Sequence, residues 1–335
     1  MSTAFVFPGQ SSQVVGMGRD LYEDSPAARA IFEQADRTLG FALSRLCFEG
    51  PDEKLTATEN AQPALLTVSV ALLAALSEPQ GDKQTRRQRE ARGVSWSPRL
   101  PGSVSCVAGH SLGEYSALVA AGALDFPTAL GLVRRRGELM AEAHEGGMAA
   151  IIGMDEEALE EICRIVSLHG APVVIANSNA PGQIVISGAA AAVARACDLA
   201  RQQGAKRALP LKVSAAFHSP LMHAAAEGLA RPIARAAIAY ARVPVISNVT
   251  AGPIASPEDI RIELVTQVTA PVRWVASIQR MVAQGVDTFV EVGPGAVLTG
   301  LIKRIAPGAR LINVSDLAGA QAFLEHSGVR GQGSE

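Results

Sequence analysis

The chain has 335 residues, 48% of them hydrophobic and 19% charged, which is enough apolar material for a large core and too much for a disordered protein. Lys and Arg number 30 against 32 Asp and Glu, a formal net charge of −2 at pH 7, and aromatic residues make up 4%. That balance excludes a strongly basic groove for a phosphate backbone and a base-stacking surface, so nucleic acid is not expected as a partner. At about 150 residues per domain, the length suggests two domains or one large domain with an insertion. Cys47, Cys106, Cys163 and Cys197 are scattered and form no CxxC pair, which fits a reduced cytoplasmic chain without zinc or disulfides.

In chain order, Met1-Ser2-Thr3-Ala4-Phe5 lacks the basic and apolar regions of a secretory signal. Residues 4–7 predict a buried strand stopped by Pro8-Gly9. Helical spacing marks 26–39 and 63–76. The most apolar stretch, 61–76, is interrupted by Gln62, Pro63, Thr67 and Ser69. It is expected to be too short for a bilayer and to form a core helix, so no membrane partner is expected. Residues 77–102 are rich in Arg, Gln, Ser and Pro and predict a mobile surface loop. A second strand is predicted at 105–108, with a helix from Leu112. Asp125-Phe126-Pro127 is a helix-start signal for a helix running to about Ala141.

The rhythm changes from about residue 146 to 212. Strands are predicted at 148–152, 173–176, 183–187 and 208–211, helices at 156–167 and 190–203, and a turn over 177–182. This β-α-β-β-α-β order is ferredoxin-like. The expected architecture is therefore α/β. A large α/β-hydrolase-like domain with a parallel-sheet core, residues 1–145 and 213–326, carries an inserted ferredoxin-like subdomain, 146–212. Within the large domain, helices are predicted at 220–237, 257–269, 272–284 and 297–305, with a strand at 288–292. Residues 327–335 read as a tail.

The strongest chemical signal is Gly109-His110-Ser111-Leu112-Gly113 between a predicted strand and a predicted helix. This is G-x-S-x-G in the context of a nucleophile elbow, where a serine hydroxyl is exposed at a helix N-terminus that can stabilise an oxyanion. Such a serine needs a base. Of six histidines, His110 adjoins the serine and reads as structural, and His144, His169 and His326 lie in polar surroundings. That leaves His218 and His223. His218 lies in Ala215-Ala216-Phe217-His218-Ser219-Pro220, just before a predicted helix. No aspartate stands out as a third member. Asn177 and Asn179 read as turn formers. Gly293-Pro294-Gly295 fits neither dinucleotide nor Walker spacing and reads as a strand-to-helix turn. No metal-ligand constellation is present.

Several motifs together carry a resemblance. They are Phe7-Pro8-Gly9-Gln10, Gly109-His110-Ser111-Leu112-Gly113-Glu114-Tyr115, Asn177-Ser178-Asn179-Ala180-Pro181-Gly182-Gln183, Phe217-His218-Ser219-Pro220 and Glu291-Val292-Gly293-Pro294-Gly295. In order and spacing the chain resembles the malonyl-CoA:acyl carrier protein transacylases of fatty acid synthesis, from about Ala4 to Asn313. It departs from them at 77–102, which is longer than usual before the serine strand.

The resemblance implies a role for each matching position. Ser111 corresponds to the nucleophile and His218 to its base. Gln10 and Leu112 match the residues whose backbone N–H groups form the oxyanion hole. Arg136, in Arg134-Arg135-Arg136-Gly137, matches the arginine that holds the malonyl carboxylate. Gln267 matches the residue whose main-chain carbonyl orients the histidine in place of an aspartate. The implied partners are malonyl-CoA, a substrate rather than a cofactor, and acyl carrier protein. No cofactor is implied, and a monomer is expected. Two other readings stand beside this one: a free-standing acyltransferase serving a polyketide synthase, and a serine thioester hydrolase. Leu112 after the serine and Phe217 before the histidine resemble the malonyl-selecting pattern.

Overall fold

The computed structural model describes residues 2–77, 100, 104–143, 145–168, 170–211, 213 and 215–326. The expected loop after Ser77 falls almost wholly outside the described residues, as do the tail 327–335, His144 and His169.

Among the described residues, ten strands follow in chain order: β1 (Ser2–Phe7), β2 (Val104–Gly109), β3 (Gly147–Ile152), β4 (Val173–Ala180), β5 (Gln183–Gly188), β6 (Arg207–Pro210), β7 (Val245–Ile246), β8 (Pro253–Ile254), β9 (Val286–Val292) and β10 (Arg310–Val314). The large sheet has the order β10-β9-β1-β2-β7-β8. Its first five strands pair in parallel, and β8 closes one edge antiparallel. β1 sits inside this sheet, so both its faces must be apolar. Phe5 and Phe7 enter the main core on one face, while Ala4 and Val6 enter a second core with Trp274, Met281 and Phe289 on the other.

Helices cover both faces. The first five are α1 (Arg19–Asp24), α2 (Pro26–Leu39), α3 (Leu43–Glu49), α4 (Asp52–Thr56) and α5 (Thr58–Leu76). The ends of α2 follow from local chemistry. Ser25 Oγ accepts the Ala28 N–H at 3.2 Å, Pro26 opens the first turn, and Gly40 closes the helix at φ 75°. After β2 come α6 (Gly113–Ala120) and α7 (Phe126–Glu142), the latter capped by Asp125 Oδ1 on the Thr128 N–H at 2.7 Å.

α5 is the central core helix, packed against α2, α6 and α7. It corrects the expected length. The helix begins at Thr58, with Pro63 inside it. The Glu59 carbonyl, four residues before Pro63 and so deprived of a helical donor, accepts from Arg134 Nη1 at 2.9 Å. At 19 residues α5 is long and apolar enough to cross a membrane, yet 83% of its most apolar stretch is buried within the fold.

The second sheet has the order β4-β5-β3-β6 and is antiparallel throughout, the ferredoxin-like arrangement. Its helices are α8 (Glu156–Ser167) and α9 (Ala190–Gln202), which bury their apolar faces in a separate small core. The predicted turn over 177–182 is corrected here. β4 continues to Ala180, and only Pro181-Gly182 turns the chain. The polar run is drawn into a strand because the large sheet's connecting chain pairs with it. The Ser178 N–H donates to the Val272 carbonyl at 3.0 Å, and the Val272 N–H donates to the Ala176 carbonyl at 2.8 Å.

The chain then forms a 3₁₀ turn (Pro220–Met222), α10 (His223–Arg235), α11 (Pro257–Thr266), α12 (Trp274–Ala283), α13 (Val297–Ile305) and α14 (Leu317–His326). Between β9 and α13, the Glu291 carboxylate accepts the Leu298 N–H at 3.0 Å and the Thr299 N–H at 2.7 Å. The chain thus supplies its own anion to that helix N-terminus, so the Gly293-Pro294-Gly295 turn acts as structure.

Candidate active site

The elbow lies where β2 ends beside β1. A Cβ on Gly109 would fall 1.9 Å from the Gly113 carbonyl carbon, and one on Gly113 would fall 2.1 Å from the Phe7 carbonyl oxygen. Only glycine at both positions lets the turn close against the sheet. Between them Ser111 is held at φ 51°, a left-handed conformation costing on the order of 1–3 kcal/mol. Asn248, just after β7, holds it there. Asn248 Oδ1 accepts the Ser111 N–H at 2.7 Å, and Nδ2 donates to the Gly109 carbonyl at 2.7 Å.

His218, also left-handed at φ 56°, comes from the loop before the 3₁₀ turn. Its Nε2 lies 2.8 Å from Ser111 Oγ. Nδ1 faces the carbonyls of Gln267 at 2.9 Å and Ala270 at 3.1 Å. Two acceptors there place the proton on Nδ1 and leave Nε2 free to accept one. Burial, and then the charge of Arg136, push the imidazole down to about 3. His223 lies on the surface, 3.2 Å from Glu227 and 76% exposed, so only one of the two candidate bases reaches the serine.

Helical spacing sends the three arginines of α7 in different directions. Arg134 bonds Glu138, Asn60 and the Glu59 carbonyl, and Arg135 pairs with Glu138 and Glu142 near the surface. Arg136 turns inward and is 2% exposed. Its Nη1 donates to Gln62 Oε1 at 2.8 Å, while Nη2 donates to Gln267 Oε1 and to Ser111 Oγ, each at 3.1 Å. Its Nε has no partner among the described residues. Two amide oxygens and a hydroxyl thus hold the guanidinium without neutralising it, and burial lowers its pKa from the usual value.

Gln267, the C-cap of α11, is fully buried and serves the site twice. Its main-chain carbonyl meets His218, and its side chain links Arg136 to Ser111 and Glu114, with Nε2 donating to the Ser111 carbonyl at 3.1 Å and to Glu114. Gln10 lies in the turn after β1, and its Nε2 donates to Thr58 Oγ1 at 3.2 Å. A Cβ on the preceding Gly9 would lie 2.5 Å from the His110 carbonyl oxygen, so this turn presses directly on the elbow. Leu112 is the N-cap of α6. The N–H groups of Gly113, Glu114 and Tyr115 bond back to the carbonyls of His110, Ser111 and Leu112, whereas the Gly109 carbonyl accepts from Asn248.

Sequence reasoning missed Gln62, Glu114, Asn248 and the side chain of Gln267. A signal existed for two of them: Gln62 interrupts the most apolar helix, and Glu114 is the one acidic residue of a wholly buried one. Asn179, expected in a turn, lies in β4 with its Oδ1 2.8 Å from His110 Nε2, and the His110 ring meets Trp274 edge-on at 5.6 Å. His110 thus braces the back of the elbow. Among the described residues no cluster of three or more His, Cys, Asp or Glu could hold a metal.

Residues 4–87 and 102–321 match the model of the acyl transferase domain family. The malonyl CoA-acyl carrier protein transacylase of Bacillus subtilis (strain 168) is 50% identical over 316 residues, 93% of either chain. The chain belongs to the malonyl CoA-acyl carrier protein transacylase family. Within that family, the acyl-carrier-protein-S-malonyltransferase of Bartonella henselae matches with a TM-score of 0.89 and 45% identity, over 98% of this chain and 100% of that one. A malonyl-transacylase solved with its holo type II polyketide synthase acyl-carrier protein matches with a TM-score of 0.85 and 42% identity, over 97% and 99%. The family match breaks between 88 and 101, inside the segment 77–102.

Proposed function

We propose that the chain moves a malonyl group from malonyl-CoA to the phosphopantetheine thiol of acyl carrier protein, in fatty acid biosynthesis, through an ester on Ser111. The observation that carries this reading is the meeting of three groups: Ser111 Oγ lies 2.8 Å from His218 Nε2 and 3.1 Å from Arg136 Nη2.

The arrangement of Ser111, His218 and Arg136 supports the following steps. His218 Nε2 takes the Ser111 proton as Oγ attacks the thioester carbonyl. The oxyanion of the tetrahedral intermediate accepts from the backbone N–H groups of Gln10 and Leu112. The intermediate collapses, the C–S bond breaks, and His218 returns the proton to the CoA sulfur. The carrier thiol then gives its proton to His218 and attacks the ester, and the proton passes back to Ser111 as the acyl group leaves. The Gln267 carbonyl fixes the ring without supplying the negative charge that would make it a stronger base. Arg136 meets the malonyl carboxylate through two parallel N–H donors, and the substrate supplies the anion that its buried charge lacks.

Intact-protein mass spectrometry tests the reading. Malonyl-CoA should add one malonyl mass, and a holo carrier protein should remove it with gain of the same mass. Steady turnover of malonyl-CoA in water without a thiol would instead indicate a hydrolase. The structural neighbour bound to a polyketide carrier supports a second reading, service to a polyketide synthase. Comparing transfer rates to fatty acid and polyketide carriers separates the two. We further propose that the protein acts as a cytoplasmic monomer without a dissociable cofactor. Its four free, buried cysteines support a reducing compartment.

A further inference from the structure

Glu114 lies three residues after the nucleophile and is fully buried. A carboxyl group is found in such a place only against partners. Its Oε1 accepts the Asn248 N–H at 3.4 Å, and its Oε2 accepts from Gln267 Nε2. The same Nε2 also donates to the Ser111 carbonyl at 3.1 Å, and Gln267 Oε1 therefore faces the other way, accepting from Arg136 Nη2 at 3.1 Å. Exchanging oxygen and nitrogen would set N–H against N–H at Arg136 and oxygen against oxygen at Ser111 and Glu114. The hydrogen-bond network thus permits one orientation of the amide.

The partners behind Glu114 are equally fixed. Glu263 accepts from Ser247 Oγ at 2.7 Å and from the Val249 N–H at 3.1 Å. Burial, followed by the nearby Glu263 carboxylate, pushes the Glu114 carboxyl well above the usual carboxylate range. The acceptor role of Glu114 toward Gln267 requires an oxygen at that reach, and a neutral side chain can provide it.

We propose that Glu114 is a positioning residue for acyl selectivity: through the amide of Gln267 it fixes the Nη2 edge of Arg136 beside Ser111, where an acyl group ending in carboxylate is recognised over one ending in methyl. The inference rests on the transferase reading above. A carboxylate needs two N–H donors in a set plane, so it suffers when one edge of the guanidinium loses its anchor. An acetyl group makes no such demand.

The test uses the full chain with a holo carrier protein. It measures kcat/KM for malonyl-CoA and acetyl-CoA in wild type, Glu114→Ala, Glu114→Gln, Gln267→Ala and the Glu114→Ala/Gln267→Ala pair. Glu114→Ala should lower the malonyl-to-acetyl ratio by about 10-fold or more, the scale of a lost charge-assisted contact. Glu114→Gln keeps an acceptor oxygen at the same reach and should retain most of the ratio. In the Gln267→Ala background, the Glu114 change should alter the ratio little further. If Glu114→Ala does not fold, Glu114→Asp, with its oxygens drawn back by one methylene, replaces it. An equal fall for both substrates, a Gln variant no better than the Ala variant, or additive effects in the pair would overturn the proposal. A wild type that takes no malonyl group would overturn the transferase reading itself. Normal wild-type transfer with an unchanged ratio in Glu114→Ala would overturn the role of Glu114 alone.

Discussion

The Gln267 carbonyl oxygen lies 2.9 Å from Nδ1 of His218, so a neutral dipole, not a carboxylate, stands behind the candidate base. With burial and Arg136 both opposing protonation, the imidazole stays neutral down to about 3, against an ordinary value of 6.5. The acid limb of kcat/KM, which reports the free enzyme, should therefore lie well below 6.5. Replacing Arg136 by Ala removes the second-largest of the causes and should move that limb upward. A pH–rate profile checks both, and an acid limb at the ordinary imidazole value would show a solvated ring. The same shift affects stability. Between the two values the unfolded chain binds a proton that the folded chain refuses, so stability should fall as pH drops from 6.5 toward about 3. His218→Gln should flatten that slope in chemical denaturation.

Ser111 and His218 should separate cleanly by variant. Ser111→Ala should abolish the malonyl adduct in mass spectrometry, and an adduct surviving there would place the ester elsewhere. His218→Ala should slow acylation about 100- to 10,000-fold, the usual worth of a positioned general base. His223→Ala should stay near wild type, because that ring is exposed beside Glu227.

Asn248 should matter to both stability and rate. Its amide satisfies the Ser111 N–H and the Gly109 carbonyl, each at 2.7 Å. Asn248→Ala leaves both backbone groups without that partner. The expected loss is about 1–3 kcal/mol in unfolding free energy, the cost of leaving a buried polar group unsatisfied. Turnover should fall alike for malonyl and acetyl substrates, since the elbow serves both. Denaturant melts and paired kinetics measure the two effects.

What the sequence made legible was local or covalent in its cause. Ser25, Pro26 and Gly40 mark both ends of α2, and the unbroken apolar run of β1 betrays an interior strand. The two glycines of the elbow declare a turn that no Cβ could enter. What stayed hidden depended on distant partners. β7 and β8 are two residues each and carry no periodic pattern of their own. Asn177 and Ser178 resemble a turn until Val272 offers them a strand. Arg134, Arg135 and Arg136 are alike in sequence, and the family resemblance, not the residues, singled out Arg136. Its inward face became visible only once Gln62, 74 residues away, and Gln267, 131 residues away, were in place around it.

Arg136 gives the most direct test of substrate choice. Its guanidinium is buried beside Ser111 and is held by two amide oxygens that leave its charge uncompensated. An acyl carboxylate entering from Ser111 would provide the missing anion. Arg136→Ala should therefore cost malonyl-CoA on the order of 1.5–3 kcal/mol, or roughly 10- to 150-fold in kcat/KM. Acetyl-CoA has no carboxylate to lose and should be spared or improved, because no guanidinium remains to be left unpaired as the site closes on an apolar group. Arg136→Lys should fall between the two, since a compact ammonium cannot present two parallel donors while still reaching Gln62 and Gln267. The decisive measurement is the malonyl-to-acetyl ratio of kcat/KM in wild type and both variants. If the two substrates fall by the same factor, Arg136 supports the elbow or the CoA moiety, and the carboxylate must be read by another group.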